Sequence, residues 1–232
     1  MRTTLNNAHC AIVSLLRGGR GLYVRWPARK PEQVLELYEF EACPFCRKVR
    51  EVLSEMDLAY LCHPCARGSR NRQRVLQLGG KMQVPFLVDP NTGRTMYESE
   101  DIITYLLDTY GPGRGALSRM LGPLNTLGAR LASAVRPRGL RVQEAARHRP
   151  PPDKLLHLYG FEACPFCRKV REVLHELDLD FLCHNVAPGS ARRPALQARG
   201  GRVQVPYLVD ENTGTALYES EDIVSYLQRT YG

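Results

Sequence analysis

Two short stretches of this chain carry the residue types that thiol chemistry needs. Cys43-Pro44-Phe45-Cys46 and Cys164-Pro165-Phe166-Cys167 each set two cysteines three positions apart. The proline falls where the first residue of a helix has no hydrogen bond to lose. The spacing therefore predicts a helix with its first cysteine at the N-cap and its second one turn inside. Unpaired N–H groups and the positive end of the helix dipole favour a thiolate at Cys43 and Cys164, and Arg47 and Lys48 add positive charge to the first. The thiolate is the nucleophile, and Cys46 and Cys167 are within reach to resolve a mixed disulfide. Buried half-cystines or metal ligands are the competing reading. A C-x-x-C that follows a strand and opens a helix favours redox chemistry.

The elements that must hold these pairs occur twice. Residues 34–111 align on residues 155–232 at a constant offset of 121 without a gap, with 49 identities in 78 pairs. The period is too long for a solenoid unit, so each copy is expected to be a domain. Within a copy, Leu35 to Tyr38 reads as an apolar strand, and Val49, Val52, Leu53 and Met56 mark one helical face. Leu58 to Cys62 reads as a second strand, parallel to the first through a right-handed crossover. A helix over Arg70 to Leu78 leads to Gly79-Gly80. Val84 to Asp89 and Arg94 to Tyr97 form a hairpin about Asn91 and Gly93. Ser99 is expected to cap a closing helix that runs to Tyr110 and stops at Gly111. The order β-α-β-α-β-β-α is a thioredoxin-type topology.

The expected architecture is α/β, with two tandem domains of this kind: a basic helical segment over 1–31, domain 1 over 32–111, a basic helical linker over 112–152, and domain 2 over 153–232. In the linker, Leu117, Met120, Leu121, Leu124, Leu127, Leu131 and Val135 recur at helical spacing, before a Pro-rich connector from Arg147 to Pro152. Ala8, Ala11, Arg17, Gly18 and Arg20 match Ala129, Ala132, Arg138, Gly139 and Arg141 at the same offset of 121, so a shorter helix around Ala8 to Leu16 is the expected counterpart.

Cys-Pro-Phe-Cys, then Val84-Pro85, then Glu98-Ser99 resembles the motif set of glutaredoxins and of the N-terminal domain of glutathione transferases. The resemblance covers residues 35–111 and 156–232. It implies a glutaredoxin-type fold and glutathione as the bound thiol. It further implies that Pro85 and Pro206 are cis and face the cysteines, and that Val84 and Val205 pair backbone-to-backbone with the cysteinyl unit of glutathione. Glu98-Ser99 and Glu219-Ser220 would hold the γ-glutamyl end. A serine at a helix N-terminus suits a carboxylate on physical grounds too.

Two departures qualify the resemblance. Many glutaredoxins carry a lysine three residues before the first cysteine; Phe40 and Phe161 stand there instead. Arg72 and Arg193 are the candidates to meet the glycine carboxylate, against the plainer reading of solvated surface arginines. The helical domain that forms the second-substrate pocket of transferases is also not expected, since only about 40 residues follow the first unit and none the second. The leading function is therefore a glutathione-dependent thiol–disulfide oxidoreductase, acting on disulfide or glutathionylated substrates. A cysteine-type (omega-like) transferase and a non-catalytic glutathione- or iron–sulfur-binding scaffold are the alternatives. Pro44 and Pro165 argue against the cluster.

Cys62 and Cys65 add a second C-x-x-C to the first copy, at a spacing that can read as a zinc site. The second copy keeps Cys183 but has Val186 at the place of Cys65, so no metal is expected. Cys62 and Cys183 read as small buried hydrophobes; Cys65 is a candidate extra resolving thiol. Eight cysteines without a secretory signal fit a reducing compartment, and the cytoplasm is the default. No apolar stretch approaches the roughly 20 residues of a membrane span. The net charge of +8 resides outside the domains: residues 1–31 carry +6 and 112–151 carry +7, whereas 32–111 and 152–232 carry −3 and −2. Apart from Tyr23 and Trp26 no aromatic residues interleave these arginines, so neither nucleic acid nor a membrane is expected as partner. The amphipathic helices leave room for a homodimer.

Overall fold

The computed structural model describes residues 17–115 and 122–232 together with Cys10, Ile12 and Ser14, and for 122–125 the backbone alone. In each copy a short apolar strand is the natural centre, because both its faces are covered and both its edges are paired. β1 (Leu35–Glu39) lies parallel to β2 (Tyr60–Pro64) and antiparallel to β3 (Phe86–Asp89), which turns into β4 (Arg94–Met96). The helices are α1 (Pro44–Glu55), α2 (Asn71–Gly79) and α3 (Ser99–Tyr110). After α4 (Gly122–Val135) and α5 (Glu144–Arg147), the second copy repeats the order: β5 (Leu156–Gly160), α6 (Pro165–Glu176), β6 (Phe181–Asn185), α7 (Arg193–Gly200), β7 (Tyr207–Asp210), β8 (Thr215–Tyr218) and α8 (Ser220–Tyr231). The expected topology is present twice.

The two copies share one eight-stranded sheet, β4-β3-β1-β2-β6-β5-β7-β8. β2 and β6 would each be an open edge in an isolated copy, and they close one another as an antiparallel pair. The register sets Leu61 against Leu182, Tyr60 against Cys183 and Cys62 against Phe181. These are equivalent positions of the repeat, so the copies are related by a pseudo-two-fold axis at the leucine pair. Both flanks of the junction follow it. Asp178 accepts the Arg70 amide at 3.0 Å, and its counterpart Asp57 accepts the Ala191 amide at 3.2 Å.

α1 and α6 are buried on nearly every side. Their apolar faces cover the sheet, and their charged faces meet across the axis. Arg50 pairs with Glu39, with Glu41 at 3.3 Å and with Glu162 at 2.9 Å; Arg171 reaches Glu41 and Glu162 at 2.9 and 2.8 Å. Arg47 and Lys48, expected beside the Cys43 thiolate, have other partners. Arg47 instead faces Glu162 at 3.4 Å, and Lys48 is engaged by Glu100 and by Thr126 at 2.8 Å.

The segments outside the repeat strap the copies together. Val24 donates its amide to Pro188 of the second copy, while Arg25 and Trp26 donate theirs to Glu55 of the first. Symmetrically, Val142 bonds Arg67 of the first copy and Gln143 bonds Glu176 of the second. Gly21 and Gly139 adopt φ of +74° and +72° and press against Glu162 and Glu41. Gly21-Leu22-Tyr23-Val24 is thus equivalent to Gly139-Leu140-Arg141-Val142. The offset here is 118, not 121; the match of Gly18 to Gly139 and of Arg20 to Arg141 was a slip of three residues.

The linker helix also differs from expectation. Its packed face is the small-residue one, with Ala129, Ala132 and Ser133 buried, because the close approach to α1 leaves no room for leucine. Leu127 and Leu131 are more than half exposed and Val135 is exposed as well. Leu117, Met120, Leu121, Ala8 and Ala11 lie outside the described residues. Among the described residues no helix is long and apolar enough to cross a membrane.

Candidate thiol sites

Cys43 and Cys164 are the N-cap residues of α1 and α6, with extended backbone and Pro44 and Pro165 immediately inside. The Cys46 amide donates to Cys43 Sγ at 3.2 Å and the Cys167 amide to Cys164 Sγ at 3.3 Å. Burial opposes the Cys43 thiolate, yet the Cys46 thiol, the amides of Cys46 and Phe45, and the positive charge of Arg50 outweigh it and hold the thiol below its ordinary value. At Cys164 the hydrogen bond from the Cys167 thiol is the strongest influence. Together with the amides of Cys167 and Phe166 and the charge of Arg171, it brings the thiol to about 7. Cys46 and Cys167 are fully buried and pushed well above the ordinary range, first by burial and then by the neighbouring thiolate. Each pair thus divides into an N-cap thiol held low and an inner thiol held high.

Each copy carries a cis proline at the start of its hairpin. The Val84–Pro85 and Val205–Pro206 bonds are both cis, as the resemblance implied. The hairpin that carries them is anchored from below: Tyr105 and Tyr110 donate to Asp89 at 2.6 and 2.5 Å, and Tyr226 and Tyr231 to Asp210 at the same distances. Glu98 and Glu219, not the serines, are the N-cap residues of α3 and α8. Ser99 and Ser220 are the first helical residues, and both are buried. Glu98 and Glu219 each adopt φ of +63°, a region that costs a side-chain-bearing residue on the order of 1–3 kcal/mol and clusters at functional sites.

Sequence reasoning missed a partner of these glutamates. Gln83 donates to Glu98 Oε1 at 2.5 Å, and Gln204 to Glu219 Oε1 at 2.5 Å. The signal was available, since both copies read Gln-Val-Pro. The hydrogen bond ties the cis-proline loop to the helix N-terminus.

A cleft of about 290 Å³ runs beside the first site, lined by Phe40, Arg67, Arg72, Met82, Val84 and Leu140. Val84 and Arg72 are thus brought to one cavity, with Arg72 held by the Cys65 carbonyl at 3.1 Å. Arg193 occupies the first position of α7, and its Nε is buried with no hydrogen-bond partner among the described residues. Cys65 does not behave as a resolving thiol: it is fully buried against Tyr38, Val75 and Phe86, and burial pushes its pKa far up. Cys62 and Cys183 are buried as expected. Cys43, Cys46, Cys62 and Cys65 do not assemble into a metal-ligand group.

The family model described as glutathione S-transferase, N-terminal domain, matches residues 37–114 and again residues 158–232. The chain belongs to the glutathione S-transferase N-terminal-domain family. Its two matches coincide with the two sheet-sharing copies, each with a complete cysteine, cis-proline and glutamate–serine set. Among solved structures, the chain is similar to a Leishmania protein, TDR1, described as a unique trimeric glutathione transferase, at 19% identity over 86% of this chain and 69% of that one, with a TM-score of 0.32. A likeness of that size carries no argument about assembly or activity. No curated protein matches the chain.

Proposed function

We propose that the chain is a glutathione-dependent thiol–disulfide oxidoreductase with one thiol site in each copy. The observation that carries this reading is the opposed tuning within each pair: an outer thiol brought down at a helix N-terminus, to about 7 at Cys164, beside an inner thiol pushed up by burial. The Cys43 or Cys164 thiolate attacks the glutathione sulfur of a glutathionylated substrate. The old S–S bond breaks, and the substrate leaves as a thiolate that takes up a proton. A second glutathione thiolate then attacks the enzyme mixed disulfide, releasing glutathione disulfide and restoring the thiolate. In the dithiol branch the outer thiolate instead attacks a substrate disulfide and forms a mixed disulfide with one substrate sulfur. Cys46 or Cys167 then loses its proton, attacks its neighbour's sulfur and displaces the substrate thiolate, and two glutathione thiols reduce the resulting enzyme disulfide and leave as glutathione disulfide.

In this reading the Val84 and Val205 backbones pair with the cysteinyl unit, beside Pro85 and Pro206. Glu98-Ser99 and Glu219-Ser220 take the γ-glutamyl end, where helix N–H groups favour its carboxylate. Arg72 and Arg193 meet the glycine carboxylate. The chemistry requires a reducing glutathione pool, hence a cytoplasm-like compartment.

Glutathione-coupled reduction of a mixed disulfide tests the assignment in wild type, Cys43→Ser, Cys164→Ser and the double variant. Activity surviving in the double variant rejects it. The family match favours a second reading, a cysteine-type transferase, and adding an aryl electrophile with glutathione separates the two. In this reading a homodimer forms through the amphipathic α4, on its exposed Leu127, Leu131 and Val135 face. Sedimentation of wild type and Leu131→Glu decides that point, and a monomer in both removes it.

A further inference from the structure

Where the two copies meet, a third constellation lies apart from both thiol sites. Glu39 ends β1, Cys62 lies in β2, and His175 comes from the last turn of α6 in the other copy. All three are fully buried. Cys62 Sγ lies 3.5 Å from Glu39 Oε1 and 3.7 Å from His175 Nε2, and Nε2 lies 3.9 Å from Oε1. Zinc–sulfur, zinc–nitrogen and zinc–oxygen bonds of about 2.3, 2.0 and 2.1 Å at tetrahedral angles require donor separations of about 3.3–3.6 Å. The two distances from sulfur lie within about 0.2 Å of their ideal values, and the nitrogen–oxygen distance exceeds its own by about half an ångström, which a small rotation of the Glu39 carboxylate closes.

His175 is oriented as a ligand. Its Nδ1 lies 2.7 Å from the Arg171 carbonyl, which accepts its proton and leaves the Nε2 lone pair facing Cys62 and Glu39. A backbone carbonyl behind the second nitrogen is how metal-bound imidazoles are commonly fixed. Glu39 Oε1 has only the Cys62 thiol among these hydrogen-bond contacts, while Oε2 accepts from Arg50. Arg50 keeps Glu41 and Glu162 in any case, so a cation at Oε1 does not leave it unpaired.

The pseudo-two-fold sharpens the case. The equivalent positions across the axis are Gly160, Cys183 and Ser54. The carboxylate and the imidazole have no counterparts there. They belong to opposite copies, yet both fall at the same one of the two equivalent places.

We infer that Glu39, Cys62 and His175 form a zinc site that staples the first copy to the second at the sheet junction. Thiolate, imidazole and carboxylate together suit zinc and exclude the hard cations magnesium and calcium. On binding, the Cys62 S–H bond breaks, sulfur forms a bond to the metal, and one proton is released per ion. Thiolate and carboxylate then balance the charge of +2. A site with no exposed donor fills as the copies close on one another, so metal binding is coupled to folding. The inference does not depend on the glutathione reading.

The test uses the full chain with Cys43, Cys46, Cys164 and Cys167 changed to serine, so that neither C-x-x-C pair can bind metal. The protein is refolded with cobalt or zinc and desalted, and the metal per chain is measured. One equivalent is expected, with a near-ultraviolet thiolate-to-cobalt charge-transfer band and a melting temperature raised by zinc. His175→Ser, which installs the residue found at Ser54, and Cys62→Ser should each weaken binding by at least roughly 100-fold, the upper end of what loss of an outer-shell partner costs. Cys183→Ser, equally buried and on the equivalent strand, should keep the metal. The absence of the band in the four-serine background overturns the inference, as does unchanged stoichiometry in a folded His175→Ser variant.

Discussion

At Cys43 and Cys164 a helix N-terminus works against burial, and the amide and thiol donors prevail. An unperturbed thiol titrates near 8.5. In a Cys43→Ser background, alkylation of Cys164 should therefore rise along a curve with its midpoint near 7 and level off above it, while Cys167 stays unreactive. Mass-spectrometric counting of the adducts measures this, and a midpoint above 8 would remove the tuned thiolate. The sign for stability follows. A thiol whose pKa is lowered on folding stabilises the reduced fold above the unfolded value, and that contribution disappears as the pH falls through 7. Glu98 offers a second residue-scale prediction. Its φ of +63° suits glycine and strains any other residue. Glu98→Gly should thus be more stable than Glu98→Ala by about 1 kcal/mol, while both weaken glutathione binding, because both lose the carboxylate that Gln83 holds. Chemical denaturation and glutathione titration of the pair check this, and equal stabilities would mean the backbone there is unstrained.

Strands and helices of each copy were legible because their periodicity is local. β1 through α3 fall within two residues of the boundaries read from residue types, and Pro44 and Gly111 delimit helices as their chemistry requires. The placement of Cys43 and Cys164 at helix N-caps, with Cys46 and Cys167 one turn inside, was legible for the same reason. What stayed hidden depends on contacts between distant residues. Arg47 and Lys48 look like partners for a thiolate until Glu162, Glu100 and Thr126 are brought to them. Leu127 and Leu131 look like a buried stripe until α1 approaches α4 on its alanine side. The straps shift register by three residues, and only the shared environment of Gly21 and Gly139 reveals it. A Cβ at Gly21 would lie 2.9 Å from Glu162 Cβ, and one at Gly139 would lie 3.0 Å from Glu41 Cβ, each at a positive φ. Gly21→Ala and Gly139→Ala should therefore each destabilise by about 1–3 kcal/mol. Gly80→Ala, also at positive φ but in open space, should cost less. Equal costs for all three would mean that the close approach to the glutamates contributes nothing.

At the scale of the whole molecule, the duplication has produced one body and not two beads. The sheet runs unbroken through β2 and β6, each strap bonds both copies, and Glu41 and Glu162 each serve arginines from both sides of the axis. Each of these groups loses part of its hydrogen bonding if one copy unfolds while the other remains. Buried carboxylates and guanidinium groups left alone are costly, so partial unfolding is penalised beyond the loss of apolar contact. The chain should therefore unfold in a single transition. Two probes can test this independently. Trp26, the one tryptophan, packs against the core beside the first copy, and Cys167 becomes alkylatable only when the second copy opens. Their denaturant midpoints should coincide. Arg50→Met leaves the buried Glu39 without an arginine and Glu41 and Glu162 with one fewer, and should lower stability by about 3–5 kcal/mol. Because those carboxylates come from both copies, the two midpoints should move together. If tryptophan fluorescence shifted alone while the alkylation midpoint stayed in place, the junction would be a contact between independent domains, and the coupling argued from the shared sheet would be wrong.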